Sequence, residues 1–284
     1  MVYCVLFDLT HLSIYQGVAM FSHLDYVIND CKNGGVAFGL TNRLGGVSNA
    51  PFDNLNLSFN VGDSENAVAK NIALLLQNFA KEAQNFNDIK YFISTLRTDN
   101  VNFLTQMHGT QSRIISQPNG VQNAGEADAL ITNQKGINLL ILVADCNPVL
   151  FFDKKNSIVA LMHAGREGVF QQICTQTFTQ MQEDFGSKAS DIFAFVGAGI
   201  RQCCYEVGAE IIAKLSIKQK QLYTSKSANN AYKLDLATML RDEFHLLGIT
   251  DSHISQDCTH CDTSFFSYRR EGKSGRFGLI AQIF

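Results

Sequence analysis

Three side chains have the types that hold a transition metal or attack a carbonyl: His108, Cys146 and His163. His108 sits in Gln106-Met107-His108-Gly109, after an apolar run at 101–105. Cys146 follows the run 139–144 and Asp145, and His163 follows the run 158–162 and precedes Ala164-Gly165. Two imidazoles and a thiolate suit zinc, and three protein ligands leave a fourth position for water or substrate. Spacings of 38 and 17 positions form no local metal pattern. The residues alone therefore leave other readings open. Cys146 and His163 could form a nucleophile and its base, or the three could be an unrelated buried thiol and two loop histidines. The metal reading gains from a shared placement at strand ends beside Gly or Asp, where a rigid scaffold hands over to loops.

The elements that must position these groups are short apolar runs rich in Val, Ile and Phe, bounded by turn residues. Such runs read as buried strands. They occur at 36–40, 101–105, 113–116, 129–132, 139–144, 149–152, 158–162 and 192–196. After Asp63-Ser64, either of which can cap a helix, Val68, Ile72, Leu75, Leu76 and Phe79 share one helical face. Val169, Ile173, Phe178, Met181 and Phe185 predict a helix stopped by Gly186. A short helix runs through Leu215, and Leu236, Leu240, Phe244 and Leu247 predict another before Gly248. The segments 265–270 and 275–284 read as strands around a turn. Interleaved strands and helices predict an α/β or α+β domain with mixed sheet. No repeat or Pro-rich linker occurs, so residues 36–284 read as one domain behind a 1–35 extension and lead-in.

The loop Thr41-Asn42-Arg43-Leu44-Gly45-Gly46-Val47-Ser48 offers a guanidinium, a hydroxyl and close backbone approach, which suits an anion. Arg43 and Ser48 are thus candidates for holding phosphate; an ordinary surface turn is the alternative. Gly197-Ala198-Gly199 follows a strand, but Gln202 stands where a dinucleotide loop needs its third glycine. Cys258-Thr259-His260-Cys261 is a lone CxxC without an evident second pair, and Cys203-Cys204 are adjacent, so both read as packed thiols.

A net charge of −3 carries no basic bias towards nucleic acid or an anionic membrane. No apolar run approaches the ~18 residues that span a bilayer. The amino terminus lacks Lys or Arg before Lys32, and Asp8 and His11 interrupt it, unlike a signal peptide. A cytoplasmic protein is expected, and its eight cysteines are expected free or metal-bound. No His is followed two positions later by Glu, the pattern of cytidine-type deaminases. Nor does an H-x-H pair occur, which a multicopper oxidase would carry.

The stretches TNRLGGVSNAPFDNLNLSFNVGD (41–63), QMHG (106–109), ADALIT (127–132), ADCNPVLFFD (144–153), HAG (163–165), CCYEVG (203–208) and FFSYRREGKSGR (265–276) occur in order. In this combination the chain resembles the YfiH family, also called laccase-domain or peptidoglycan-editing-factor-like proteins. The resemblance implies a layered α-β-β-α sandwich with mixed sheets, in a single domain, and zinc bound by His108, Cys146 and His163, with copper less favoured. It implies phosphorolysis of adenosine, inosine, guanosine and methylthioadenosine, with adenosine deamination besides. The expected partners are purine nucleosides and phosphate, with no nucleic acid, membrane or obligate protein partner. Cys146, His163 and Asp145 are the candidate catalytic residues; Asp145 could orient a ligand or transfer a proton. Alternatives are a Cys-dependent amide hydrolase, an editing factor for cell-wall precursors, and a copper oxidase of phenols. The family continues HAG as Trp-Arg-Gly, whereas Arg166-Glu167-Gly168 stand here and Trp is absent from the chain.

Overall fold

The computed structural model describes residues 20–29, 34–83, 96–227 and 231–284. Two six-stranded sheets face each other. The first runs, edge to edge, β1 (Phe21–Ile28), β2 (Gly35–Thr41), β15 (Phe277–Ile283), β7 (Asn138–Val143), β3 (Val101–Thr105) and β5 (Val121–Glu126). The second runs β14 (Asp251–Ile254), β10 (Ile192–Val196), β8 (Asn147–Asp153), β9 (Ile158–Ala164), β6 (Ala129–Thr132) and β4 (Ser112–Ile114). Three short strands, β11 (Glu206–Val207), β13 (Tyr232–Leu234) and β12 (Thr224–Lys226), form a small third sheet. Both large sheets are mixed: β3 is parallel to β5 and β7 while β15 is antiparallel to β7. Likewise β10 is parallel to β14 and antiparallel to β8.

Side chains alternate between the faces of a strand, which sorts the core into layers. Val36, Phe38 and Leu40 of β2 meet Ile141 of β7 and Leu150 and Phe152 of β8 in the layer between the sheets. From the opposite face of the first sheet, Ala37, Leu140 and Leu142 pack on Val68, Ile72, Leu75 and Phe79 of the helix Glu65–Ala83. From the outer face of the second, Val149, Phe151 and Met162 pack on Phe178 and Met181 of the helix Ile173–Phe185 and on Leu240 and Phe244 of the helix Leu236–Leu247. The result is an α-β-β-α sandwich of one domain. Strands covered on both faces read as continuous apolar runs, which is why β7, β8 and β9 are fully buried along their lengths.

Three local expectations are corrected. The predicted helix across residues 169–185 is two helices, Arg166–Phe170 and Ile173–Phe185, because Gln172 at φ 60° turns the chain between them. The segment 265–270 is no strand: Phe265 and Phe266 are buried, and Ser267 accepts the N–H of Arg270 to cap the one-turn helix Tyr268–Glu271. Arg270 pins that segment by donating to the carbonyls of Thr259 and Phe265. Within the stretch read as lead-in, residues 21–28 form the edge strand β1, antiparallel to β2; residues 1–19 lie outside the described residues. Among the described residues no helix is long and apolar enough to cross a membrane.

Candidate functional site

Strand β3 ends at Thr105 and hands over to the loop carrying His108. The chain leaves the first sheet at Val143, turns through Ala144-Asp145-Cys146, and enters the second sheet at Asn147. His163 lies inside β9, opposite Pro148 of β8, rather than past the strand's end. Both sheets therefore converge on one point. There the ligand-type atoms of His108, Cys146 and His163 all lie within 4.8 Å of one another. His108 Nε2 is 4.0 Å from Cys146 Sγ, and its ring meets that of His163 edge-on at 4.7 Å. His163 is buried, Cys146 half-buried and His108 exposed, so the group opens on one side.

Asp128 holds this arrangement together. Its carboxylate accepts the backbone N–H groups of Met107, His108 and Gly109 at 3.2, 2.9 and 2.7 Å. That anchorage sustains His108 at φ 62°, a left-handed conformation uncommon for a residue with a Cβ. Asp128 Oδ1 also lies 2.8 Å from His163 Nδ1. A proton on Nδ1 satisfies that bond and leaves Nε2 as the ligand atom, the usual carboxylate–histidine support of a metal site. Asp128 belongs to the ADALIT stretch, but sequence reasoning gave it no role.

The electrostatics are those of an ion pair. Burial pushes the Cys146 thiol up, but the charge of His163 and hydrogen bonds from both imidazoles outweigh it and bring it down to about 6. Burial lowers His163, but the Cys146 thiolate and the Asp128 carboxylate outweigh it and lift it to about 9. Gly165 leaves the hollow between the three. A Cβ there would stand 2.9 Å from His108 Cδ2, 3.2 Å from Cys146 Sγ and 3.6 Å from His163 Cε1. Its φ of −73° suits any residue, so space rather than backbone conformation calls for glycine. A hollow ringed by two imidazoles and a thiolate fits a borderline-soft cation such as zinc.

The three residues sit on the wall of a cavity of about 560 Å³, within the range of small-ligand pockets. Phe59, Phe103, Tyr205 and Tyr268 give it aromatic surface, and Arg269 and Arg276 give it positive charge. Arg43 and Ser48, expected to hold phosphate, do not line it. Arg43 donates to the Asp53 carbonyl and to Glu271 at 2.8 and 2.7 Å, and lies over the Phe266 ring. The buried Ser48 hydroxyl donates to Asp63 and accepts from Asn71. Both are cross-ties of the loop, because their polar atoms are consumed by protein partners. Asp145 does line the cavity, at φ 90°. Its carboxylate accepts from Thr259 Oγ1, Ser267 Oγ and the backbone N–H of Arg269, each at 2.7 Å. That geometry makes it the anchor of the crossover turn. Arg166, which stands where the family pattern has Trp, pairs with Glu167 at 3.0 Å.

A family model described as multi-copper polyphenol oxidoreductase laccase matches residues 37–283. A purine nucleoside phosphorylase of Corynebacterium glutamicum is 34% identical over 248 residues, covering 87% of this chain and 94% of that protein. The purine nucleoside phosphorylase YlmD of Bacillus subtilis is 30% identical, covering 89% of this chain and 90% of its own. Among solved structures, the Bacillus licheniformis hypothetical protein YfiH matches with a TM-score of 0.73 at 29% identity, over 87% of this chain and 92% of that one. YlmD from Geobacillus stearothermophilus shares the fold with a TM-score of 0.76 at 23% identity, over 93% and 98% of the two chains.

Proposed function

Because this chain belongs to the laccase-domain, or YfiH, family, we propose that it is a zinc-dependent purine nucleoside phosphorylase acting in the cavity at the sheet crossover. The observation that carries this reading is the meeting of two imidazoles and a thiol on the wall of a nucleoside-sized cavity that also holds two arginines. His108, Cys146 and His163 would hold the ion, and zinc when bound supplies Lewis-acid chemistry at an open fourth position. The name carried by the relatives, purine nucleoside phosphorylase, gives the substrate class, purine nucleosides with phosphate; the substrates proposed within it are adenosine, inosine, guanosine and methylthioadenosine.

In phosphorolysis a phosphate oxygen bonds to C1′ of the ribose while the bond from C1′ to the purine nitrogen breaks. The electron pair of that bond leaves with the purine, which takes up a proton. The chain's part is to bind and orient. Arg269 and Arg276 replace Arg43 as candidates for phosphate, each anchored through one guanidinium nitrogen to main-chain carbonyls. Guanidinium suits phosphate oxygens by charge and by planar geometry. Tyr205, Tyr268, Phe59 and Phe103 offer faces to a flat base. Asp128 orients the His163 imidazole and fixes the backbone that carries His108, and Asp145 fixes the turn that carries Cys146. Adenosine deamination, with water displacing ammonia at the same site, is the second activity proposed.

The test is release of adenine from adenosine by zinc-loaded protein. It should require phosphate, and Arg276→Gln should raise the KM for phosphate by ~10-fold or more, the worth of one charge-assisted hydrogen bond. Failure to release or deaminate the purine of any of the four nucleosides would sink the reading. Gly165→Ala tests the hollow itself. Zinc affinity, measured by competition with a chromophoric chelator, should fall ~10-fold or more, in the range of other perturbations around ligands. The metal-free protein should stay folded, since alanine suits that backbone conformation and the atom its Cβ would press on most closely is the edge of the exposed His108 ring. Unchanged affinity would show that the ion does not sit between these three side chains.

A further inference from the structure

Behind the cavity wall, on the side of Tyr205, lies a second cluster. The sulfurs of Cys203, Cys204, Cys258 and Cys261 all lie within 4.8 Å of one another. Cys203 Sγ is 3.8 Å and Cys204 Sγ 3.2 Å from Cys261 Sγ. Four sulfurs placed tetrahedrally at about 2.3 Å from one zinc ion stand about 3.8 Å apart, so the observed group needs little adjustment to close on an ion. Iron–sulfur cages, with several metals between their sulfurs, need a wider set.

The surrounding backbone is built for thiolates. The N–H of Arg201 donates to Cys258 Sγ at 3.4 Å. Cys258 opens a tight turn in which its carbonyl accepts the N–H groups of Cys261 and Asp262, bringing Cys261 back over it. The two loops are bridged at Gly199 and Cys258. Charge gives a second, independent sign. The Arg201 guanidinium donates to Asn147 Oδ1 and to the carbonyls of Gly197 and Ser255, all neutral, and its buried Nε has no partner. Among the described residues no carboxylate forms an ion pair with it. Leaving a charge inside a protein without a counter-charge is costly. The charges that act on Arg201 are Cys258 first, then the Asp235 and Asp257 carboxylates at longer range, then Cys203; four thiolates around a divalent cation carry a net charge of −2 and would place the nearest counter-charge beside it. Lys233 adds a cation, donating to the Cys203 carbonyl at 2.8 Å.

We propose that Cys203, Cys204, Cys258 and Cys261 form a second metal site, structural in role, that takes a tetrahedral thiophilic divalent cation of the zinc class. It staples the loop carrying Tyr205 to the loop carrying Thr259. Tyr205 lines the cavity and Thr259 holds Asp145, so the staple sets the rear of the substrate site. Soft thiolates favour zinc over harder cations, and two exposed cysteines, 203 and 261, give the ion a way in.

The experiment counts metal in the full-length protein by elemental analysis. In a His108→Ala/Cys146→Ala variant, which clears the first site, about one zinc ion per chain should remain, against about two in the unaltered protein. X-ray absorption of that variant should show sulfur alone around zinc at about 2.3 Å. Adding Cys258→Ser and Cys261→Ser should cut the remaining zinc about tenfold or more. Should the variant not fold, the unaltered protein answers by peptide-mapped alkylation: all four cysteines protected with zinc and modified after chelation. Nitrogen or oxygen in the coordination shell would overturn the proposal. So would a folded variant with less than about a tenth of an ion, equal alkylation with and without zinc, or a Cys204–Cys261 disulfide in protein isolated with zinc. None of these readouts is an activity, so the outcome is separate from that of the nucleoside assay.

Discussion

Replacing Cys146 by serine is expected to lower phosphorolysis by ~1000-fold while leaving the protein folded. The arithmetic follows from the ion. Charge stabilisation at a metal is worth several kcal/mol, and ~4 kcal/mol is about three powers of ten in rate. A serine hydroxyl is smaller, harder and protonated at neutral pH, so it gives up both the bond and the negative charge that Cys146 brings. The same variant would also silence a Cys-dependent hydrolase, and two further measurements separate the readings. Chelation should abolish activity and zinc should restore it if the ion is required; an active metal-free protein would favour the nucleophile. Alkylation should also respond to metal. In metal-free protein its rate should reach half its plateau near pH 6, where Cys146 ionises, because the thiolate is the reactive form. Zinc should suppress it across that range.

Asp128→Asn is expected to damage both stability and metal binding. The carboxylate serves three backbone N–H groups and the His163 imidazole, and an amide has only one acceptor oxygen to offer them. Its NH2 group would point at a donor, leaving buried polar groups unpaired at about 1–3 kcal/mol each. A loss of ~3 kcal/mol in the metal-free protein and a fall of ~10–100-fold in zinc affinity are the expected results, read by denaturant melts and chelator competition. Acid should narrow the stability difference. Burial raises the Asp128 carboxyl, but its bonds to His163 and the loop N–H groups prevail and hold it below the ordinary value. The stabilisation is thus full above the unfolded carboxylate's range and is lost as pH falls through the lower folded value. A difference that grows in acid would contradict this origin.

The scaffold was largely legible because the central strands are sheathed on both faces. The runs behind β7, β8, β9 and β10 carry no polar alternation to obscure them. The strands passed over offer no continuous apolar run: β5 reads VQNAGE and has no buried residue, β1 is half-buried along most of its length, and β11 to β14 are at most four residues long. The helix break at Gln172 left no trace in the apolar period, which continues across it.

At the site, the two histidines and Cys146 could be linked through their placement beside strand ends. Asp128 could not, since its partners lie 19 to 35 positions away and only the fold joins them. Arg43 and Arg276 look alike in a string of letters. One is stacked on Phe266 and tied to Glu271, while the other lines the cavity. The second cysteine pair was missed because Cys203-Cys204 are adjacent instead of separated by two residues, and a turn at Arg201 brings them to the CxxC.

Because the backbone passes from one sheet to the other through Ala144-Asp145-Cys146, with His108 delivered by the first sheet and His163 by the second, the spacing of these three side chains is a gauge of how the two halves of the sandwich are seated. Any change that lets one slab slip against the other, even at Phe38 or Phe152 deep in the middle layer, alters the spacing of the ligands. At the proposed metal site a packing defect would announce itself first as a loosened ion, well before the molecule comes apart.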